Sequence, residues 1–221
     1  MTIEQYRVRA VIFDFDGVIV ESNHVKTDAF DQIFSKYPKY TDRMLSFHRK
    51  FQSKPRMEKF SHFAGELMGL TGEAYEAERQ QMGKSFSKLV KEKVINCPEV
   101  FGATALLHEF KKKIPLFVSS HTPEEELREI IRARNLFDFF SGIFGNPPTP
   151  KKDAIKRVLE EKKLHPKEVV FIGDAFTDYE AAVACGLNYI GRDSGLDTSG
   201  INAPIFPDME KIANELRQKL A

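Results

Sequence analysis

Five short apolar runs, none of which alternates with polar residues, narrow the folds open to this chain. They are VRAVIFD (Val8 to Asp14), PLFVSS (Pro115 to Ser120), SGIFG (Ser141 to Gly145), VVFIGD (Val169 to Asp174) and LNYIG (Leu187 to Gly191). A strand with one wet face alternates, whereas a continuous run belongs to a strand covered on both faces, as in a parallel sheet between helices. A weaker last strand is predicted at Pro204 to Phe206. From residue 100 onward the runs alternate with helical patterns. Thr122, Pro123 and Glu125 read as cap, first-turn proline and capping-box partner of the helix EEELREIIRAR. Thr149 and Pro150 repeat that opening before KKDAIKRVLEEKK, and Met209, Ile212, Ala213 and Leu216 give a last helix its apolar face. This alternation predicts an α/β fold with a doubly wound, Rossmann-like parallel sheet.

Residues 21–95 differ. They contain no convincing strand but several amphipathic stretches: Val25, Ala29, Phe30, Ile33 and Phe34; Phe60, Phe63, Ala64 and Leu67; Met82, Phe86, Leu89 and Val90. Roughly 75 residues between a first and second strand exceed an ordinary crossover, so they are expected to form a helical domain inserted into a core of residues 1–20 and 96–221. Thr71-Gly72 is expected to separate two of its helices, and Asn96-Cys97-Pro98 to mark the return to the core.

Bulk charge gives no partner away. Lysine and arginine number 33 against 32 aspartates and glutamates, which excludes a field strong enough to advertise nucleic acid or a membrane surface. Cys97 and Cys185 lack the spacing of zinc ligands and read as reduced thiols. MTIEQYRVRA has no leader-like apolar run, and no stretch reaches the ~18 apolar residues of a membrane span, so a cytosolic protein is the expectation.

Function therefore rests on local chemistry, and four features sit where strands end, on the ligand-binding side of open α/β sheets. Asp14-Phe15-Asp16-Gly17 closes the first run with two carboxylates, costly unless a hard cation such as Mg²⁺ compensates them; turn aspartates are the alternative. Asp174, with Asp178 one helical turn later, closes the fourth run, and helix capping is the alternative there. Ser119, Ser120, His121 and Thr122 end the second run at a helix start, a ready phosphate site; Thr122 reads as a cap and Ser119 as the functional candidate. Lys151 and Lys152 stand in a first helical turn, where cations oppose the helix dipole. A solvated surface pair is one reading, and a phosphate grip that offsets the carboxylates is the other.

The order Asp14/Asp16, Ser119, Lys151, Asp174/Asp178 resembles the haloacid dehalogenase superfamily, in its phosphatase branch with a helical cap between the first two motifs. The hhhhDxDGV and hhhhGDxxxD motifs carry the resemblance, which covers about residues 7 to 215. It implies that Asp14 is the nucleophile that becomes an aspartyl-phosphate, and that Asp16 is the acid and base. It also implies that Ser119 and Lys151 bind the phosphoryl group, with Ser120 or Lys152 assisting or substituting. Mg²⁺ would be held by Asp14, the Asp16 backbone carbonyl and Asp174, with Asp178 orienting its waters. Dehalogenases of the superfamily generally lack the second aspartate, so Asp16 favours phosphate esters. Members similar to β-phosphoglucomutase usually carry histidine where Lys26 stands, which makes a mutase the second choice. Specificity is assigned to the cap, with His48, Arg56 and Lys59 of HRKFQSKPRMEKF as substrate-binding candidates beside Lys26; a solvated basic face is the alternative. The expected substrate is a small phosphorylated metabolite, a sugar or carboxylic-acid phosphate. A phosphoacceptor signalling domain would order these residues differently, and a silent binding protein would have lost one of them.

Overall fold

The structure, a computed structural model, describes residues 7–51 and 54–220. Residues 1–6, the start of the segment MTIEQYRVRA that has no leader-like run, lie outside the described residues, as do Gln52 and Ser53 of the basic run.

Six strands form one sheet: β1 (Ala10–Phe13), β2 (Leu116–Ser120), β3 (Gly142–Gly145), β4 (Val169–Gly173), β5 (Asn188–Arg192) and β6 (Ile205–Phe206). The order is β3-β2-β1-β4-β5-β6, and each neighbouring pair is parallel. Every residue of β1, β2 and β4 is buried, which explains why these runs do not alternate. β1 is shorter than its apolar run because Val8 and Arg9 donate their N–H groups to Lys219 and Glu168 carbonyls, outside the strand ladder. β5 instead runs on to Arg192, one residue beyond its apolar run.

The chain divides into two compact units, one built from the segments up to Glu21 and from Pro98 on, the other from Ser22–Cys97. Where the first unit is interrupted, its two ends are bonded to each other. Glu21 N–H donates to the Pro98 carbonyl at 2.9 Å, Val100 N–H to that of Ile19 at 3.0 Å, and Val20 and Glu99 form an antiparallel bridge.

The Ser22–Cys97 unit consists of α1 (Asn23–Phe34), α2 (Thr41–Lys50), α3 (Arg56–His62) running into a π-helical turn at Phe63–Leu67, and α4 (Gly72–Asn96). Gly69 (φ +71°), before α4, and Gly72 (φ +57°), its first residue, adopt left-handed backbone, a conformation that glycine takes at no steric cost. Helical spacing turns aromatic rings inward: Phe30 lies 4.5 Å from Phe86, and Phe34 4.5 Å from Phe63, centroid to centroid.

The sheet is flanked by α5 (Ala103–Phe110), α6 (Glu124–Ala133), α7 (Lys151–Lys162), α8 (Phe176–Ala184) and α9 (Met209–Leu220). Ala10, Ile12, Phe117, Val169 and Phe171 form one core with Ile155 and Val158 of α7 and Ala181 and Ala182 of α8. The alternate residues Val11, Phe13, Val118, Val170 and Ile172 are buried as well, as a doubly covered sheet requires. Among the described residues no helix is long and apolar enough to cross a membrane.

The helix caps depart from expectation. Pro123 and Pro150 themselves occupy the cap positions, and no side chain caps α6 or α7. Thr122 Oγ1 donates instead to Asp16 Oδ2 at 3.3 Å, a carboxylate being a stronger acceptor than a neutral partner. Glu125 closes no capping box; Glu124 accepts the Gly145 N–H at 3.2 Å and pairs with Arg128 at 2.9 Å.

Candidate active site

Strand register sets this site. Phe13 lies level with Val118 on β2 and Ile172 on β4, so Asp14 leaves β1 level with Ser119 and Gly173. Asp14 N–H still donates to the Ile172 carbonyl at 2.8 Å, which anchors the residue before the chain turns. Gly17, at φ +75°, makes that turn, and its N–H donates to the Val20 carbonyl at 2.8 Å.

Asp14, Asp174 and Asp178 converge. One carboxylate oxygen from each lies within 4.8 Å of the others, and all three side chains are buried. Gly173 makes room, because a Cβ there would stand 2.4 Å from Asp178 Cβ and 2.7 Å from its Oδ2. Gly173→Ala is therefore expected to displace Asp178, destabilising the fold by about 1–3 kcal/mol and lowering activity more than tenfold. Thermal unfolding and kcat/KM check the two effects.

Lys151 stands among these acids. Its Nζ is 3.1 Å from Asp14 Oδ1 and in close contact with Asp178 Oδ1, while Asp178 Oδ2 accepts the Ala175 N–H at 3.2 Å. Burial opposes the lysine's charge, but Asp14 and Asp178 outweigh it and hold the ammonium above its ordinary range. Burial pushes the Asp14 carboxyl well above the usual carboxylate range; Lys151 pulls it back, and Asp178, Asp174 and Asp16 push it further up. The Lys151 contact is an ion pair without hydrogen-bond alignment, so Asp14 Oδ1 is a buried acceptor with no hydrogen bond. Three buried acids offering only oxygen donors, with Asp14 Oδ1 making no hydrogen bond beyond its ion pair, suit a hard divalent cation.

Lys152 goes elsewhere. One residue on along α7 the side chain is rotated about 100°, and Lys152 is exposed, 3.7 Å from Glu180. The Asp16 carboxylate accepts from Ser120 Oγ at 3.4 Å as well as from Thr122, and Ser120 Oγ accepts the Thr122 N–H at 3.1 Å. Ser119 Oγ is buried and makes no hydrogen bond. Lys26 on α1, His48 on α2, and Arg56 and Lys59 on α3 belong to the helical unit. Within that unit Lys59 Nζ lies 3.1 Å from His48 Nδ1, and the Arg56 guanidinium lies 5.1 Å from the centre of the Phe86 ring.

Two side chains at the site were not read from the sequence in these roles. Thr122 has the sequence context of a cap, yet it binds Asp16. Arg192 donates from Nη1 to the Gly17 carbonyl at 3.1 Å and forks onto the Glu21 carboxylate, tying the end of β5 to the turn after Asp16. A lone arginine ending an apolar strand was the available signal.

Residues 11–192 match the family model described as haloacid dehalogenase-like hydrolase. The phosphorylated carbohydrates phosphatase of Thermotoga maritima is 27% identical over 227 residues, covering 96% of this chain and 100% of that protein. The phosphoglycolate phosphatase of Yersinia pseudotuberculosis is 24% identical, covering 91% of this chain and 88% of that one. Among solved structures, a haloacid dehalogenase-like family hydrolase from Streptococcus pneumoniae superimposes with a TM-score of 0.70 at 20% identity, covering 94% and 98% of the two chains.

Proposed function

The chain belongs to the haloacid dehalogenase-like hydrolase family, and we propose that it hydrolyses phosphate monoesters of small metabolites, sugar or carboxylic-acid phosphates, with Mg²⁺ as cofactor. The observation that carries this reading is the Asp14 carboxylate at the end of β1, buried beside Asp174 and Asp178 and ion-paired with Lys151. Two similar proteins are named phosphatases of a carbohydrate phosphate and of phosphoglycolate, which supports that substrate class.

In the first step an Asp14 oxygen attacks phosphorus, the bond to the ester oxygen breaks, and an aspartyl-phosphate forms. Asp16 gives its proton to the departing alcohol. It then takes a proton from water, whose oxygen attacks phosphorus, releases inorganic phosphate and restores Asp14. The Ser120 and Thr122 hydroxyls fix the Asp16 carboxyl, and because a hydroxyl both donates and accepts, they serve either protonation state. Ser119 Oγ, buried with no partner of its own, would donate to a phosphoryl oxygen, and Lys151 would offset the charge of the transferring group. Bound by Asp14, Asp174 and the Asp16 carbonyl, with Asp178 beside them, Mg²⁺ would neutralise further phosphoryl charge.

The test is release of inorganic phosphate from p-nitrophenyl phosphate and a panel of phosphorylated metabolites. Activity should require Mg²⁺ and stop with a chelator. Asp16→Asn should lower kcat by about 10²–10⁴-fold, the usual worth of a general acid–base. A panel yielding no phosphate would overturn the reading, and sugar-phosphate interconversion without phosphate release would replace it with a mutase.

A further inference from the structure

Arg192 is a buried arginine to which the proposed hydrolysis gives no part. It ends β5, where the short β6 fixes the backbone on either side of it. Gly191 N–H donates to the Pro204 carbonyl at 2.8 Å, and Asp193 N–H to that of Phe206 at 2.8 Å. From this fixed point the guanidinium reaches two groups around the turn that follows Asp16. Nη1 donates to the Gly17 carbonyl at 3.1 Å and to Glu21 Oε2 at 3.0 Å, and Nη2 donates to Glu21 Oε1. All of these groups belong to one compact unit.

The turn itself is closed by its own backbone. The N–H groups of Val18, Ile19 and Val20 crowd onto the Phe15 carbonyl at 3.4, 2.8 and 3.2 Å, and Gly17 N–H donates to Val20 at 2.8 Å. Gly17, at φ +75°, is the loose point, because glycine passes between positive and negative φ at little cost. The peptides on its two sides can turn over unless each is bonded. The Asp16–Gly17 peptide is held by its N–H on Val20, and the Gly17–Val18 peptide by its carbonyl on Arg192. Stability does not account for the arginine. Glu21 is half-buried, a setting in which ion pairs contribute little. Arg192 Nε is a buried donor with no hydrogen-bond partner, which costs free energy. A rigid planar fork is suited instead to fixing geometry. Ser120 and Thr122 hold the Asp16 carboxylate at 3.4 and 3.3 Å, long for hydroxyl bonds, so its aim depends on the backbone beneath it.

We propose that Arg192 is a positioning residue for Asp16. By bridging the Gly17 carbonyl and the Glu21 carboxylate it keeps the turn from rotating about Gly17. It thereby holds the Asp16 carboxyl for proton transfer and the Asp16 backbone carbonyl for Mg²⁺. The inference rests on the hydrolase reading above, since it is that reading which gives Asp16 both roles.

Two measurements on the full-length protein test this, one of them without turnover. Isothermal titration with Mg²⁺ alone gives the metal's Kd, and p-nitrophenyl phosphate at saturating Mg²⁺ gives kcat and KM. Arg192→Met keeps much of the stem and removes the fork. It should weaken Mg²⁺ binding about tenfold or more, the usual worth of a group that orients a metal ligand. It should also lower kcat by about tenfold or more at unchanged KM, because the loss falls on the transition state and not on substrate binding. Arg192→Lys should recover part of both, since one ammonium cannot span both acceptors. An arginine kept for structure would give a different result: Tm falls in Arg192→Met, while Mg²⁺ affinity and the kcat of the folded fraction stay at wild-type values. That result overturns the proposal. Where Arg192→Met does not fold, Arg192→Lys decides, and wild-type Mg²⁺ affinity together with wild-type kcat in that variant overturns it equally. Failure of the hydrolase reading looks different again. Wild-type protein that binds Mg²⁺ but releases no phosphate from any ester removes that reading, while weaker Mg²⁺ binding in Arg192→Met still supports the hold on the Asp16 carbonyl.

Discussion

Asp14→Asn is expected to bring phosphate release down to background, a fall of about four orders of magnitude or more, the scale of losing a covalent nucleophile. The same change should make the metal-free protein harder to unfold. In the folded chain Asp14 is a weaker acid than in the unfolded one, chiefly through burial and despite the pull of Lys151. The native state then holds its proton to higher pH, so this group's contribution to stability is lost as pH rises from the ordinary carboxylate value of 3.8 through the raised one. Asparagine carries no charge and removes that slope. Phosphate assays paired with pH-dependent unfolding in chelator check both halves. A stable variant that keeps wild-type turnover would sink the nucleophile assignment.

Lys151→Met should have the next largest effect. Methionine keeps much of the lysine stem, so the change removes charge more than packing. Asp14 loses an ion pair and Asp178 its closest partner, both in a buried setting. Removing one member of a buried pair typically costs about 3–5 kcal/mol, and in a chain of this length that corresponds to a fall in Tm of very roughly 10 °C. Added Mg²⁺ should recover part of the loss, because a cation among the carboxylates supplies some of the missing charge. Differential scanning calorimetry with and without Mg²⁺ measures this, and an unchanged Tm would show that the pair contributes nothing.

The sheet was legible because burial on both faces leaves a plain trace in composition: VVFIG and LFV cannot alternate when each side meets a helix. The strand ends were legible for a related reason. A carboxylate straight after such a run, as at Asp14 and Asp174, has little stability to offer, so it draws notice. What stayed open depended on angle or on competition. Lys151 and Lys152 are adjacent in sequence and differ by one step of helical rotation, which places only one of them against Asp14. Thr122 satisfies every local rule for a cap, but a carboxylate from a segment 106 residues away takes its hydroxyl. Local rules have no access to that competitor. Nor could helical spacing reveal that Lys59 and His48 share the face of Phe30, since three separate helices bring them there.

The bonds between Glu21 and Pro98 and between Ile19 and Val100 decide what the segment between them can disturb. Joined at its base, the intervening segment is to the sheet a loop of fixed span, whatever it contains, and lengthening such a loop costs only slowly increasing entropy. Strand registers on either side are set by contacts that do not include it. A change in the length or content of the insertion is therefore expected to leave the residues at the strand ends in place.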